Sequence, residues 1–315
     1  WIIFAAVNAF APDKEISLSE KRALAAFPEV SAAGIADGTF SEKFETWAAD
    51  QLVGRDALVK IRTGLGYLSG NPLSNDVYKC KEGYLIERLY NADGSLTGST
   101  AEAVNGLYAK TGVNTVFVCV PTAQEILSDK LPAAAEVSDT EALMDGFYGK
   151  LDSSIKVCDL TETIKAFSDS GEQAYYHSDH HWTTPCAAAC MDDVFSALGI
   201  VNGTGWTQLD VCADFKGSLS AKSGFSAGTD VISVYRPGQE TAYVVTDESA
   251  REKRASVYSL EGLESSDPYT VFLGGNSGLI KIETGEAGKG RLLVFKDSYF
   301  NCFLPFLIIP GILDS

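Results

Sequence analysis

Positive charge is in short supply in this sequence: 25 Lys and Arg stand against 42 Asp and Glu, for a formal net charge of −17. A surface this acidic repels a phosphate backbone, which excludes nucleic acid as a partner. Long apolar runs are missing as well. The apolar stretch over residues 1–10 is half of the roughly 20 residues a bilayer span needs. It reads as the tail of a signal peptide or membrane anchor within a remnant over residues 1–15, the plainer alternative being a buried N-terminal helix. There is no CxxC, and the seven cysteines are an odd number, so the chain is no disulfide framework. There is also no internal repeat and no low-complexity segment. What remains is ordinary globular composition, 45% apolar and 21% charged over 315 residues. That supports one large α/β domain or two modest ones.

Helical spacing dominates the first third, over residues 17–27 and again over 40–65, where Phe44, Trp47, Leu52, Leu58 and Ile61 recur. Two short strands around a turn at Gly83 are expected over 76–86, then a helix over 101–111. A strand over 114–120, a helix over 140–150 and a strand over 154–160 make a parallel crossover. Cys119 and Cys158 lie in these strands as small core residues. A helix over 186–198 puts Cys186 and Cys190 on one face. An irregular insertion is expected over 203–268, with β-like pieces at 230–235 and 242–246. Strands over 269–272 and 291–295 follow, separated by a Gly274-Gly275-Asn276 turn.

The three histidines fall within five residues, His177-Ser178-Asp179-His180-His181-Trp182. Such clustering points to a metal or to acid–base chemistry. The metal reading uses His177, Asp179 and His181, but no recognised zinc spacing is present. The acid–base reading takes His181 as base, Asp179 as the acid that fixes its tautomer, and Ser298 as nucleophile. Ser298 sits where an apolar strand runs into a helical segment, so its hydroxyl lies at free N–H groups that favour an oxyanion. The plainer reading of Ser298 is a helix N-cap. Trp182 either stacks on a sugar or fills the core, and Tyr299 either lines the pocket or does the same.

Residues 176–183 resemble the DHHW family, named for Asp179-His180-His181-Trp182. Further similar blocks are Asp37-Gly38-Thr39-Phe40 through Asp50 to Arg55-Asp56, Asp76-Val77-Tyr78 with Glu82-Gly83-Tyr84-Leu85, Val120-Pro121-Thr122-Ala123, Phe272 to Asn276, and Lys296-Asp297-Ser298-Tyr299. That family is similar to SGNH-like hydrolases and the periplasmic alginate O-acetyltransferases. The resemblance implies an α/β, SGNH-like three-layer sandwich with a mainly parallel sheet and N-terminal helical additions, over residues 16–315. It implies Asp179, His181 and Ser298 as catalytic residues, with Gly275 and Asn276 as oxyanion candidates. The implied activity is an extracytoplasmic O-acetyltransferase or acetylesterase on a cell-surface or exported glycan, with an acetyl donor and no cofactor. A membrane-bound partner that hands over the acetyl group is left open. The alternatives are a glycan-binding surface protein without catalysis and a metal-dependent hydrolase.

Overall fold

The computed structural model describes residues 8, 10–17, 22–89, 95–201, 203–239, 241–285 and 290–308. Most of the apolar run over residues 1–10 lies outside them. Among the described residues no helix is long and apolar enough to cross a membrane.

The chain opens with β1 (Ile16–Ser17) and β2 (Arg22–Ala23), which pair antiparallel where a helix over 17–27 is expected. After the short α1 (Ala32–Ala36), the single helix expected over 40–65 is two, α2 (Thr39–Asp50) and α3 (Arg55–Leu68). Gly54 separates them with φ +79°, a left-handed value that ends the helical ladder there. A three-stranded antiparallel sheet follows, β3 (Leu73–Ser74), β4 (Val77–Lys79) and β5 (Leu85–Glu87).

Next comes α4 (Ser95–Thr111), then β6 (Val116–Cys119), α5 (Ala123–Ile126) and α6 (Thr140–Tyr148), and β7 (Lys156–Asp159). β6 and β7 pair in parallel, with Val118 opposite Cys158, as the crossover reading expects. This is the one parallel pairing among the described residues, the other strand pairs being antiparallel. α7 (Thr161–Asp169) leads to the histidine turn. After it, the expected helix over 186–198 divides at Cys190 into α8 (Thr184–Ala189) and α9 (Met191–Leu198). Thr183 caps α8, its hydroxyl accepting from the Cys186 N–H, and Pro185 follows where a helix start tolerates it.

The stretch over 203–268 is far more regular than expected. β8 (Trp206–Phe215) and β9 (Asp230–Pro237) form a long antiparallel pair bridged by α10 (Ser218–Ser223). β10 (Tyr243–Asp247) pairs with β11 (Glu252–Arg254) and with β12 (Ile280–Thr284). β8 escapes a hydrophobic-pattern reading because most of its residues are exposed on both faces. Two expected strands are absent. Residues 269–272 fall mainly in a 3-10 turn, Pro268–Val271, after the short helix α11 (Leu260–Leu263). Residues 291–295 form no strand, because no neighbouring strand pairs with them, and Leu293 and Phe295 remain exposed.

The main core gathers Leu160, Ile164, Tyr175, Trp182, Phe195, Phe215, Phe272 and Phe303. It lies directly beneath the histidine turn, since Tyr175 and Trp182 belong to both.

Candidate active site

The turn over 176–181 is closed at its base by a bridge between Tyr175 and Trp182. Tyr176 N–H donates to the His181 carbonyl at 3.2 Å, and Thr183 N–H to the Ala174 carbonyl at 2.8 Å. Burial of both bridge aromatics drives the turn down onto the core. Two chain-distant elements then fix its shape. Asp230, the first residue of β9, accepts from the His177 and Ser178 N–H groups at 2.8 and 2.9 Å and from the Ser178 hydroxyl at 2.6 Å. It also meets His177 Nδ1 at 2.9 Å and the Gln173 amide at 2.8 Å. From the other side, Gly217 N–H donates to the Ser178 hydroxyl, and Leu219 and Ser220 N–H donate to the Ser178 carbonyl.

Asp179 is 2% exposed. Its Oδ1 meets His181 Nδ1 at 2.6 Å and the His181 N–H at 3.1 Å, while Oδ2 accepts from the Ser218 N–H at 2.7 Å. Burial pushes its carboxyl up, but the His181 hydrogen bond, the neighbouring His181 and His180 rings and the Ser218 N–H outweigh that. The net effect holds Asp179 well below the usual carboxylate range, so it is an anion and only accepts. The shared proton therefore belongs to His181 Nδ1, which leaves the Nε2 lone pair free. That lone pair faces Ser298 Oγ at 2.8 Å. The ring is held flat by Tyr269, stacked at 3.9 Å with an interplanar angle of 11°.

Ser298 opens a 3-10 turn, Ser298–Asn301, capped by Asp297, whose carboxylate accepts the Tyr299 N–H at 2.9 Å. The cap is therefore Asp297 rather than Ser298, and the serine hydroxyl is left to His181. Among the described residues the Ser298 N–H has no partner.

The remaining sequence candidates divide. Trp182 is 1% exposed and its indole N–H donates to the Tyr299 carbonyl at 2.8 Å, so it is a core residue with no face for a sugar. The Tyr299 hydroxyl donates to the His180 carbonyl, clamping the turn to the serine segment. Gly274 and Gly275 take left-handed φ, and Asn276 stands exposed beyond them. Asn276 Oδ1 accepts from buried Asn301 Nδ2 at 3.1 Å, and Asn301 in turn accepts from Lys296. The Asn276 amide N–H groups take no part in that contact. Burial lowers the Lys296 ammonium from its ordinary value.

The metal set His177, Asp179 and His181 is not assembled, because His177 turns to Asp230 and stacks on Tyr84 at 4.1 Å. Among the described residues the ligand atoms that converge belong instead to Asp179, His180 and His181. Both His181 nitrogens are already engaged there, by Asp179 and Ser298, and His180 Nδ1 meets the Ser218 hydroxyl at 2.8 Å.

Five contributors were not read from the sequence: Gly217, Ser218, Asp230, Tyr269 and Asn301. Asn301 lies one 3-10 turn beyond the serine, a spacing that could have flagged it. The others lie 29 or more positions from the residues they touch and carry no local signal.

A family model described as the SGNH hydrolase-like domain of acetyltransferase AlgX matches residues 89–277. No curated protein is similar enough in sequence to match. Among solved structures, a DHHW family protein from Eubacterium siraeum is 22% identical, with a TM-score of 0.59 over 75% of this chain and 80% of that one. Bacillus cereus PatB1, solved with a sulfonyl adduct, is 18% identical, with a TM-score of 0.59 over 76% of this chain and 85% of that one. Both share the fold of this chain.

Proposed function

The chain belongs to the AlgX family of SGNH hydrolase-like acetyltransferase domains, and on that footing we propose an extracytoplasmic O-acetyltransferase or acetylesterase that works on a glycan through Ser298, His181 and Asp179. The observation that carries the reading is the continuous hydrogen-bond chain from Asp179 through His181 to Ser298, at 2.6 and 2.8 Å. The catalytic domain is taken as residues 16–315.

In the first half-reaction Ser298 Oγ attacks the acetyl carbonyl of the donor while His181 Nε2 takes the hydroxyl proton. Asp179 keeps Nδ1 protonated and stabilises the imidazolium that forms. The Ser298 N–H, without a partner among the described residues, and the Asn276 amide N–H are the candidate donors to the tetrahedral oxyanion. Collapse breaks the bond to the leaving alcohol, which receives the proton back from His181. In the second half-reaction a sugar hydroxyl or water loses its proton to His181 and attacks the acetyl-serine ester. Collapse then frees Ser298, which regains the proton from His181.

The test uses an activated acetate ester with wild type and Ser298→Ala. The expected result is a loss of at least about 10³-fold in turnover, with intact-mass analysis of wild type showing one added acetyl group on the peptide that holds Ser298. Full activity in Ser298→Ala, or acetyl on another residue, overturns the reading. Wild type that turns over no ester but retains glycan binding in Ser298→Ala supports the non-catalytic alternative.

A further inference from the structure

The apolar residues of α3 face the wrong way for a core. Leu58, Ile61, Leu65 and Leu68 recur at three- and four-residue spacing, which aligns them on one face. They are 47%, 57%, 61% and 82% exposed. The opposite face carries the packing: Thr63 is buried, its hydroxyl donates to the Ser223 carbonyl at the end of α10, and Gly224 sits against Val59 and Thr63.

The charge beside this stripe is equally out of character. α3 carries Arg55, Lys60 and Arg62 against Asp56 alone, in a chain whose net charge is −17. Arg62 lies one helical turn from both Leu58 and Leu65, and Arg55 one turn from Leu58. Both arginines also line a cleft of about 370 Å³ on the flank between the stripe and the packed face, with Val59, Thr63, Asn71 and Ser74, and Arg55 there meets Asp50 at 4.0 Å, which leaves Arg62 as the main cation at the stripe. A polyanion would need the arginines but gains nothing from exposed Leu and Ile. A second copy of this chain, docked symmetrically on the same face, would set Arg55, Lys60 and Arg62 against the same three cations. An anionic bilayer surface satisfies both features: the apolar side chains enter an acyl boundary that a phosphate backbone lacks, and the local cations meet the headgroups at close range against the screened repulsion of the net charge of −17.

A third observation points the same way. Val53 N–H, just ahead of α3, donates to Asn8 Oδ1 at 2.7 Å, and Phe10 is 89% exposed. Asn8, near the end of the apolar run over residues 1–10, therefore adjoins the loop that leads into α3.

We propose that the outer face of α3 is a membrane-surface docking site that takes anionic phospholipid. It goes beyond the acyl-transfer reading and does not depend on it.

The full chain is sedimented with phosphatidylglycerol–phosphatidylcholine vesicles and with phosphatidylcholine alone. Wild type is expected to partition onto the anionic vesicles, more weakly as salt rises. Ile61→Asp/Leu65→Asp should lose at least about tenfold in partitioning, and Arg62→Gln about fivefold. Thermal midpoint and ester turnover should stay as in wild type in both variants. Wild type that ignores anionic vesicles overturns the proposal, as does unchanged partitioning of the two variants, which would assign binding to residues 1–10. A concentration-dependent dimer abolished by Ile61→Asp/Leu65→Asp, without vesicle binding, would assign the stripe to self-association instead.

Discussion

At Gly217 one methyl group separates a formed site from a distorted one. Its backbone is extended, φ −83° and ψ −177°, a conformation open to any residue. The constraint is contact: a Cβ there would lie 2.2 Å from Asp179 Cβ. Gly217→Ala must therefore move Asp179 or the turn that bears it, and with it the His181 ring. Because misplacing a catalytic group by about 1 Å costs on the order of 10²-fold, turnover of an activated ester should fall about that much with KM nearly unchanged. Gly228→Ala, which meets nothing within 4 Å, is the silent control. Equal kinetics in the two variants would sever the link between this contact and the base. The residues of the proposed triad, Asp179, His181 and Ser298, were legible because acyl transfer calls for those side-chain types. Gly217 was not, because its role is an absence of atoms beside a partner 38 positions away.

The histidine turn is an element held by strands that came late in the chain. Asp230 accepts donors from Gln173, His177 and Ser178 with both carboxylate oxygens, at 2.6–2.9 Å. An amide in its place would set an NH2 against these donors. Asp230→Asn should therefore cost about 2–4 kcal/mol of stability, read as a lower urea midpoint at unchanged m-value, and should reduce turnover through loss of turn geometry. An unchanged midpoint would show that the turn stands without this anchor. The sequence placed a β-like piece at 230–235 but not its purpose, since a carboxylate at a strand start looks the same whether it faces solvent or a buried turn. The strand expected over 291–295 failed for a related reason. Its composition is right for a strand, but pairing is a property of neighbours, and here none arrives.

For the molecule as a whole, acid stability and thiol chemistry follow from burial. The Asp179 and Asp230 carboxyls are pushed up by burial, but hydrogen bonds from His181 and Ser218, and from His177 and Ser178, bring both below the ordinary range. A depressed folded pKa contributes stability that is fully present above the unfolded value, about 4, and lost as pH falls through the folded one. The thermal midpoint should thus hold from pH 7 to about 5 on this account and fall below about pH 4, with Asp230→Asn showing a shallower acid fall. A midpoint that declines already between pH 7 and 6 would point to other groups. All seven cysteines are free, and burial pushes the Cys80 and Cys302 thiols up to about 12 and those of Cys119 and Cys158 up to about 11. Reductant should leave the midpoint unchanged, and iodoacetamide should label these four thiols only on unfolding. A midpoint lowered by reductant would reveal a disulfide.

The sequence by itself determined the family and offered the candidate acid, base and nucleophile. Acid, base and nucleophile are recognised by side-chain type, and the blocks from Asp37 to Tyr299 carry the resemblance that the family match bears out. It also determined the parallel crossover of β6 and β7, whose apolar runs and intervening helix are local patterns. Only the tertiary structure decided that His181 Nε2 comes within 2.8 Å of a serine 117 positions away, that His177 turns to Asp230, and that Trp182 goes to the core. Those outcomes depend on which surfaces bury against one another, and burial is settled by the whole chain at once rather than by any window of it.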